Sequence, residues 1–308
     1  LLALGVQRGD RVATLAWSTH RHFELYFAVT GIGAVLHTIN PRLHDDQIVW
    51  VADHAEDSVL LFDITFSDQV AQLAPRMKTV KTLVAMTDAA HAPPGVLVYE
   101  DLLAAQTPEF EWPDIDERSA SGLCYTSGTT GNPKGVLYGH RSTVLHALAL
   151  ALPDAFDLSA RDAVMPCAQM YHANAWGVPY AAVMLGAKLV FPGPHLHPDD
   201  LLDLMQVEPP SLALGVPTIW LALIQLFEAH PGRWTLPQGL RSLVGGAAVP
   251  EALIRQFAKH GVSVAQGWGM TETSPLAAGV YRKPELEPGL NHDQWFARRA
   301  LAGAEGPL

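Results

Sequence analysis

The sequence predicts an α/β protein in which mostly parallel strands are covered by helices. Short apolar runs at residues 11–16, 34–39 and 58–62 alternate with amphipathic helical patterns at residues 21–32 and 45–54. Strands joined through helices pair in parallel, because a helical crossover returns the chain to the same end of the sheet. Hydrophobic residues make up 49% of the 308 positions and charged residues 17%, which is typical of a compact globular protein.

The same alternation continues through the second half of the chain. A segment rich in proline and acidic residues, 107–119, is the best candidate for an internal boundary, which gives subdomains at roughly 1–118 and 119–308. Residues 122–125 then read as a strand that delivers a glycine-rich loop to the sheet edge. Further helices are predicted at residues 141–152, 199–207, 218–229 and 250–260. Further strands are predicted at residues 187–191, 212–214, 240–244 and 262–265.

Charge and cysteine content narrow the range of partners. The formal net charge of −11 argues against nucleic acid and against anionic membrane surfaces as partners. The two cysteines, Cys124 and Cys167, form neither a metal-binding spacing nor a disulfide framework, so we predict a reducing, cytoplasmic setting. The longest apolar run, residues 173–187, is interrupted by Asn174 and Pro179 and is too short to span a bilayer.

The most informative segment is residues 125–135, Tyr-Thr-Ser-Gly-Thr-Thr-Gly-Asn-Pro-Lys-Gly. Its glycines allow close approach of backbone N–H groups, its hydroxyls donate hydrogen bonds, and Lys134 adds a positive charge. These groups together suit a polyphosphate. The glycine spacing differs from the Walker A loop, which continues Gly-Lys-Ser/Thr. The alternative is an ordinary surface turn rich in glycine and threonine.

Two segments further along the chain carry groups that suit a nucleotide. Residues 266–275 place Trp268 between two glycines, where its ring face can lie against a planar base, and Glu272 in a hydroxyl-rich turn that suits Mg²⁺. The alternative for Glu272 is an acidic first turn of a helix. Gly245 and Gly246 end a predicted strand before a helix, where backbone can approach a ligand closely, although glycines here are also common packing devices.

A fourth segment, residues 170–180, combines a histidine with large aromatic residues. His172 and Trp176 are four residues apart and would share one face of an α-helix. An imidazole there could position a carboxylate, and the indole could border an apolar channel. The alternative is a partly buried histidine packed among core aromatics.

Together these segments resemble the motifs of the adenylate-forming enzymes, and the segment His-Ala-Asn-Ala-Trp at residues 172–176 is similar to that of medium- and long-chain fatty acyl-CoA synthetases. The resemblance implies an incomplete acyl-CoA synthetase-like N-terminal domain, with mostly parallel sheets and helices in αβαβα layers. Trp268 stands where that family usually has tyrosine. The resemblance covers the large adenylation domain, short at both ends. We therefore expect the ribose-binding aspartate and the C-terminal catalytic-lysine domain to lie outside this chain, and residues 1–308 alone to be inactive or nearly so.

The resemblance also implies which residues form the site. Catalytic roles fall on Thr126, Lys134, His172 and Glu272, and Mg²⁺ on Thr126 and Glu272. The acyl substrate is expected at His172, Trp176, Val216, Trp220 and Gly246. ATP and AMP are expected at Thr126, Ser127, Gly128, Thr129, Thr130, Gly131, Lys134, Gly245, Gly246, Ala247, Gln266, Gly267, Trp268, Gly269, Met270, Thr271 and Glu272.

The function predicted on this basis is ATP-dependent activation of a fatty acid to acyl-AMP and then to acyl-CoA, with ATP, Mg²⁺ and CoA required. Relatives of this kind are commonly homodimers, so a homodimer is also implied. Three alternatives stay open: a ligase for an aryl acid or a short thioether acid, an acyl-AMP ligase that loads a carrier protein, and a non-catalytic nucleotide- or acyl-binding remnant.

Overall fold

A computed structural model of the protein describes residues 1–126, 131–153, 155–279, 289 and 291–300. Its strands form two sheets, each parallel except for one antiparallel strand at an edge. The predicted α/β class with mostly parallel sheets is therefore confirmed. The chain divides into two compact units, Leu1–Thr143 together with Met170–Asn174, and Val144–Gln169 together with Ala175–Leu308.

The first unit contains a seven-stranded sheet. Its strands are β1 (Arg11–Leu15), β2 (Val35–Thr38), β3 (Asp57–Phe62), β4 (Thr82–Ala85), β5 (Leu97–Val98), β6 (Ala120–Thr126) and β7 (Lys134–Gly139). They lie in the order β5-β4-β3-β1-β2-β6-β7, and only β7 runs antiparallel to its neighbour. Strands β1, β2, β3 and β6 match predicted strands to within two residues. Strands β4, β5 and β7 lie where none was predicted.

The helices of the first unit are α1 (His20–Gly31), α2 (Asp45–Ala55), α3 (Ser67–Leu73) and α4 (Tyr99–Ala104), and α5 (His140–Leu150) begins in it. Short 3-10 turns occupy Leu2–Leu4, Ile64–Phe66 and Ala74–Arg76. Helix α2 packs its buried face, including Ile48 and Val51, against strand residues such as Leu15 and Leu60. Apolar residues that recur every three or four positions are typical of a helix that buries one face.

The boundary predicted near residue 118 does not coincide with the division between the two units. Strand β6 continues the first sheet, because Leu36, His37 and Thr38 of β2 pair in parallel with residues 122–124. Strand β7 then closes that edge as an antiparallel partner of β6. The proline- and acid-rich segment therefore lies within the first unit, and the units divide inside helix α5 instead.

The second unit contains a six-stranded sheet. Its strands are β8 (Ala163–Pro166), β9 (Lys188–Leu189), β10 (Leu212–Gly215), β11 (Arg241–Val244), β12 (Ser263–Gly269) and β13 (Leu276–Gly279), in the order β13-β12-β11-β10-β8-β9. Strands β8 and β13 were not predicted. The helices are α6 (Val178–Leu185), α7 (Pro198–Val207), α8 (Pro217–Ala229), α9 (Glu251–Lys259) and α10 (His292–Arg299).

The core of the second unit is built on Trp220, Leu223 and Ile224 of α8 and on Leu253 and Phe257 of α9, all fully or almost fully buried. Pro217 is the first residue of α8, and Pro250 immediately precedes α9. Proline lacks a backbone N–H, but an N–H group at the start of a helix has no partner within the helix, so no hydrogen bond is lost. Within the part of the chain that the structure describes, no helix is both long enough and apolar enough to cross a membrane.

A buried histidine in the first unit couples stability to pH. The Nδ1–H of His22 donates to the carbonyl of Trp17 at 3.0 Å, and its Nε2 accepts from the Thr14 hydroxyl at 3.0 Å. Burial lowers the pKa of His22 to about 4 from 6.5, and the bond to Trp17 opposes this only in part. The fold therefore favours the neutral ring, and this contribution is complete above pH 6.5 and is lost as the pH falls towards 4.

We therefore expect His22→Gln, which cannot titrate, to flatten the pH dependence of the unfolding free energy. Wild type should lose about 3 kcal/mol more than the variant when the pH falls from neutrality to the folded-state pKa of His22. Urea unfolding followed by circular dichroism at a series of pH values measures this difference. Parallel pH profiles for the two proteins would contradict the assignment of a neutral, buried His22.

Candidate functional site

Strands β6 and β7 form the antiparallel stem of the predicted phosphate loop. Thr126 lies opposite Lys134 in the register, and Tyr125 lies opposite Gly135. The Thr126 hydroxyl donates to the Lys134 carbonyl at 3.4 Å, which is a long hydrogen bond. The Lys134 side chain is exposed. The stem therefore brings the predicted metal-binding hydroxyl and the predicted phosphate-binding lysine together at the mouth of the loop.

The tip of the loop is only partly described. Ser127, Gly128, Thr129 and Thr130 lie outside the described residues, so their predicted contacts to ATP stay predictions. Gly131 is described, is exposed and has φ of +147°, a backbone conformation that a side chain would disfavour.

The segment Met170–Asn174, which carries His172, is fixed onto the first unit by buried polar groups. The Tyr26 hydroxyl donates to the Met170 carbonyl at 2.5 Å and lies 3.2 Å from Oδ1 of Asn174. The Cys124 thiol also approaches that oxygen, at 3.5 Å. Cys124 lies on β6 two residues before Thr126. His172 is therefore held beside the strand that delivers the phosphate loop.

The expectation that His172 and Trp176 share one face of an α-helix is wrong. Ala173, Asn174, Ala175 and Trp176 form a single turn with φ between +44° and +57°, so the turn is left-handed. His172 lies before this turn, so no continuous helix carries both His172 and Trp176, and the i, i+4 spacing of a helix does not apply to them. Asparagine tolerates this conformation better than most residues, and the contacts to Oδ1 of Asn174 hold it there.

The electrostatic setting of His172 favours a neutral ring. Its side chain is solvent-accessible, and the protein atoms around it still lower its pKa by desolvation. A neutral imidazole can donate one hydrogen bond and accept another. The ring can therefore orient a carboxylate by donating to it, without requiring a full positive charge at this position.

Three strand ends in the second unit carry predicted site residues. Val216 follows β10, Gly245 follows β11, and Gln266–Gly269 form the end of β12. These strands are neighbours in one parallel sheet, so their carboxyl ends lie at the same edge. Ligands of open α/β sheets bind at that edge. The structure therefore brings the predicted adenine segment and part of the predicted acyl wall together.

Close contacts explain the glycine pair at the end of β11. A Cβ atom on Gly245 would lie 3.0 Å from the carbonyl oxygen of Gly267 and 3.3 Å from Cη2 of Trp176. Gly246 has φ of +81°, and a Cβ there would lie 3.2 Å from Val216. The glycines therefore let β12, Trp176 and Val216 approach one another. The glycines therefore have the packing role that was one of their two predicted roles, and Gly246 and Ala247 are also exposed at the surface.

The segment that follows β11 is tied to the adenine motif by Gln266. Its side chain is buried, and its Oε1 accepts from the backbone N–H of Val249 at 3.0 Å. The Trp268 side chain is 46% exposed, so a ring face remains available for a planar ligand. The fixed backbone and the accessible ring are the two properties that a base-stacking site needs.

The turn that carries Glu272 is held from both sides. Thr271–Thr273 form a 3-10 turn, and the backbone N–H of Met270 donates to the Pro275 carbonyl at 3.0 Å. A Cβ on Gly269 would lie 1.9 Å from that same oxygen, so a larger residue would force the backbone apart. Glu272 itself is exposed.

The predicted acyl-pocket residues in this unit differ in exposure. Trp220 is fully buried, 6.0 Å from the ring of Phe257 and edge-on to it. Trp176 is partly exposed and packs with the core around α5 and α6. Trp176 is therefore accessible from the edge of the unit, whereas Trp220 could border a pocket only through residues that cover it.

The oxygen donors at the predicted metal site suit Mg²⁺. Mg²⁺ is bound through one or two protein oxygens together with substrate phosphates, so a cluster of protein ligands is not required. Consistently, no group of three or more histidine, cysteine, aspartate or glutamate side chains suited to a metal occurs among the described residues. That Thr126 and Glu272 hold the ion stays a prediction.

Sequence analysis missed several residues that hold the site in place. His146 on α5 accepts from the backbone N–H of Leu276 at 3.3 Å, and burial lowers its pKa to about 4, so the ring stays neutral. Tyr26 and Asn174 fix the His172 segment, as described above. The one signal in the sequence was Asn174, since asparagine favours left-handed backbone. His146 and Tyr26 read as ordinary members of helical patterns.

The family model for AMP-binding enzymes matches residues 1–294. The chain belongs to the AMP-binding enzyme family. It is 50% identical over 279 residues to a medium-chain-fatty-acid–CoA ligase from Ectopseudomonas oleovorans, covering 89% of this chain and 50% of that protein. It is 49% identical over 290 residues to a 3-methylmercaptopropionyl-CoA ligase from Ruegeria pomeroyi, covering 92% and 53%. The chain spans about half the length of these curated relatives.

The fold is also that of solved structures in this family. The crystal structure of the N-terminal domain of FACL13 from Mycobacterium tuberculosis matches all of this chain and 72% of that one, with a TM-score of 0.81 and 22% identity. At that identity the match establishes the fold only. It agrees with the prediction of an acyl-CoA synthetase-like N-terminal domain.

Proposed function

We propose that this chain forms the ATP- and acid-binding part of an AMP-forming fatty acid–CoA ligase. The observation that carries the proposal is the loop stem of β6 and β7, which presents Thr126 and Lys134 side by side in a member of the AMP-binding family. The identity of 50% to a medium-chain-fatty-acid–CoA ligase supports a fatty acid as the substrate. Two free, buried thiols, Cys124 and Cys167, support a reducing, cytoplasmic setting.

The proposed reaction has two steps. In the first, an oxygen of the fatty acid carboxylate attacks the α-phosphorus of ATP, the bond to the β-phosphate oxygen breaks, and pyrophosphate leaves. In the second, the thiol of CoA attacks the acyl carbonyl, AMP leaves, and the thiol proton is released. Both steps conserve charge and atoms without a further oxidant or reductant.

Each residue has a role in the first step. His172 orients the attacking carboxylate towards the phosphorus, so less entropy is lost when the transition state forms. Lys134 binds the departing phosphates and offsets the negative charge that builds up on them. Thr126 and Glu272 would hold Mg²⁺, which would supply further charge neutralisation at the phosphate oxygens. Trp268 stacks on adenine. Val216 and Trp176 border the acyl chain, and Trp220 supports that wall from behind the residues that cover it.

A second candidate is a ligase for a short thioether acid. It is favoured by the 49% identity to a 3-methylmercaptopropionyl-CoA ligase, which is almost as high as the identity to the fatty acid enzyme. A thioether sulfur and a methylene group differ little in size and polarity. An apolar channel therefore discriminates between such acids mainly by the length that it accommodates.

The two candidates differ in the acid that supports ATP–pyrophosphate exchange. We expect the protein in its full natural length to exchange fastest with octanoate or decanoate, and at least about tenfold slower with 3-methylmercaptopropionate, because each extra buried methylene adds binding energy. Benzoate serves as the aryl control. Fastest exchange with the thioether acid would favour the second candidate, and ATP binding without exchange for any acid would favour a non-catalytic remnant.

The acceptor is tested separately. Acyl-AMP formed in the first step should be consumed on addition of CoA, with acyl-CoA and AMP appearing in equal amounts. Consumption by an acyl carrier protein carrying a phosphopantetheine thiol, but not by CoA, would instead identify a carrier-loading ligase.

A further inference from the structure

Tyr125 immediately precedes Thr126 at the base of the phosphate loop, and its ring packs over Gly135 near the start of strand β7. It pairs with Gly135 across the β6–β7 stem. A Cβ atom on Gly135 would lie 3.2 Å from Cζ of the Tyr125 ring and 3.2 Å from Cδ1 of Leu123. A side chain after Lys134 would therefore require the ring or Leu123 to shift by a few tenths of an ångström. Tyr125 and Gly135 lock together the two arms from which the loop emerges.

The hydroxyl of Tyr125 is anchored to helix α2. It lies 2.7 Å from Nδ1 of His54, and His54 stacks on Trp50 with ring centres 4.4 Å apart. Burial, and secondarily the charge of Asp57, raises the pKa of Tyr125 to about 12. The phenol therefore stays protonated and shares a hydrogen bond with the His54 ring. This fixes the ring at its far end, while Gly135 accommodates its face.

A buried pair supports the ring from the sheet. His37 on β2 lies with its ring centre 5.0 Å from that of Tyr125, and its Nδ1 is 2.7 Å from Oδ2 of Asp57. Both side chains are completely buried. Burial raises the pKa of Asp57, and the adjacent His37 opposes that shift. Because Asp57 fixes the His37 ring, Tyr125 packs against a rigid neighbour.

We propose that Tyr125 is a positioning residue for the ATP phosphates, fixed by His54 on one side and by the buried His37–Asp57 pair on the other. It acts through the stem. When the ring is in place, Thr126 and Lys134 are held at the spacing that the loop requires, and when it moves, both shift together. The proposal rests on the proposed function, since it concerns binding of ATP at this loop. It adds Tyr125, and three residues that are remote in sequence, His37, His54 and Asp57, to those that determine the affinity for ATP.

The decisive experiment compares the KM for ATP with the KM for the fatty acid in the full-length protein. Tyr125→Leu should raise the KM for ATP by about tenfold or more and leave the KM for the acid within about twofold, because none of the residues proposed to bind the acid lies on this stem. Tyr125→Phe keeps the ring and loses one hydrogen bond, so we expect a smaller rise of about threefold. Tyr99→Phe is the matched control, since its buried hydroxyl donates to Glu24 at 2.6 Å, away from the loop.

A double-mutant cycle separates positioning from general stability. His54→Phe keeps the stacking on Trp50 and removes the hydrogen-bond partner of Tyr125, so it should reproduce the effect of Tyr125→Phe, and the double variant should be no worse than either one. A purely structural role would instead lower the melting temperature and change both KM values alike. Equal changes in both KM values, or additive effects of the two variants, would overturn the proposal.

Failure of the proposed function would be visible in the wild type. If none of the tested acids supports pyrophosphate exchange by the wild type, the variants are compared instead by equilibrium binding of a fluorescent ATP analogue. Tyr125→Leu is then expected to weaken that binding by about tenfold. Unchanged binding of the analogue would reject the positioning role, whereas weakened binding would support it even without ligase activity.

Discussion

Replacing Lys134 by glutamine should lower kcat/KM for ATP-dependent activation of the fatty acid by about 100- to 1,000-fold, which is the size of effect found when one group that stabilises transition-state charge is removed. The side chain is exposed at the end of the loop stem, so the variant should fold normally. Glutamine is one atom shorter than lysine and keeps the ability to donate hydrogen bonds but not the charge. The loss therefore reports on charge stabilisation of the departing phosphates.

The measurement is pyrophosphate exchange, with thermal unfolding recorded on the same samples. Lys81→Gln is the matched control, because Lys81 is also exposed and immediately precedes strand β4 of the first unit. Its activity should stay within about twofold of wild type, as expected for a surface substitution. Wild-type exchange rates in the Lys134 variant would remove the lysine from the proposed mechanism.

Replacing Trp220 by alanine should destabilise the protein by about 3–5 kcal/mol, as for other large aromatic residues removed from a core. Trp220 is fully buried on α8 and contacts Phe257. Gly215 allows its indole to approach β10, since a Cβ there would lie 3.1 Å from Nε1. Removing the ring leaves a cavity between the sheet and two helices that the surrounding backbone cannot fill.

The matched variant is Trp220→Phe. The indole Nε1 has no hydrogen-bond partner among the described residues, so phenylalanine loses packing volume but no hydrogen bond. We expect it to cost about 1–2 kcal/mol, less than half the cost of alanine. Urea unfolding gives both values. If alanine and phenylalanine cost the same, a cavity is not the source of the loss.

The fold was predictable because hydrophobic periodicity is a local signal. Strand β1 and helix α2 each carry their apolar spacing within about ten residues, and both were predicted to within one residue at either end. Strand β7 was not, because its Lys-Gly start and exposed faces read as part of a loop. Its strand conformation depends on pairing with β6, which no local pattern records.

The site residues divide in the same way. Lys134, Glu272 and the glycines could be predicted as site residues because each motif is contiguous in sequence. Tyr26 could not be found, because its contact to Met170 joins residues 144 positions apart. The handedness of the turn at residues 173–176 was likewise out of reach, since its local sequence favours a right-handed helix and the contacts to Asn174 overrule that preference.

That turn has a bearing on how the protein folds. Mirror-image winding costs about 1–2 kcal/mol for each L-amino acid, so a free peptide with this sequence would adopt the opposite hand. The native hand can arise only after Tyr26 and Cys124 are in place to receive Asn174. His172 and Trp176 should therefore reach their native orientations late, and a probe on that indole would report the completion of assembly rather than its onset.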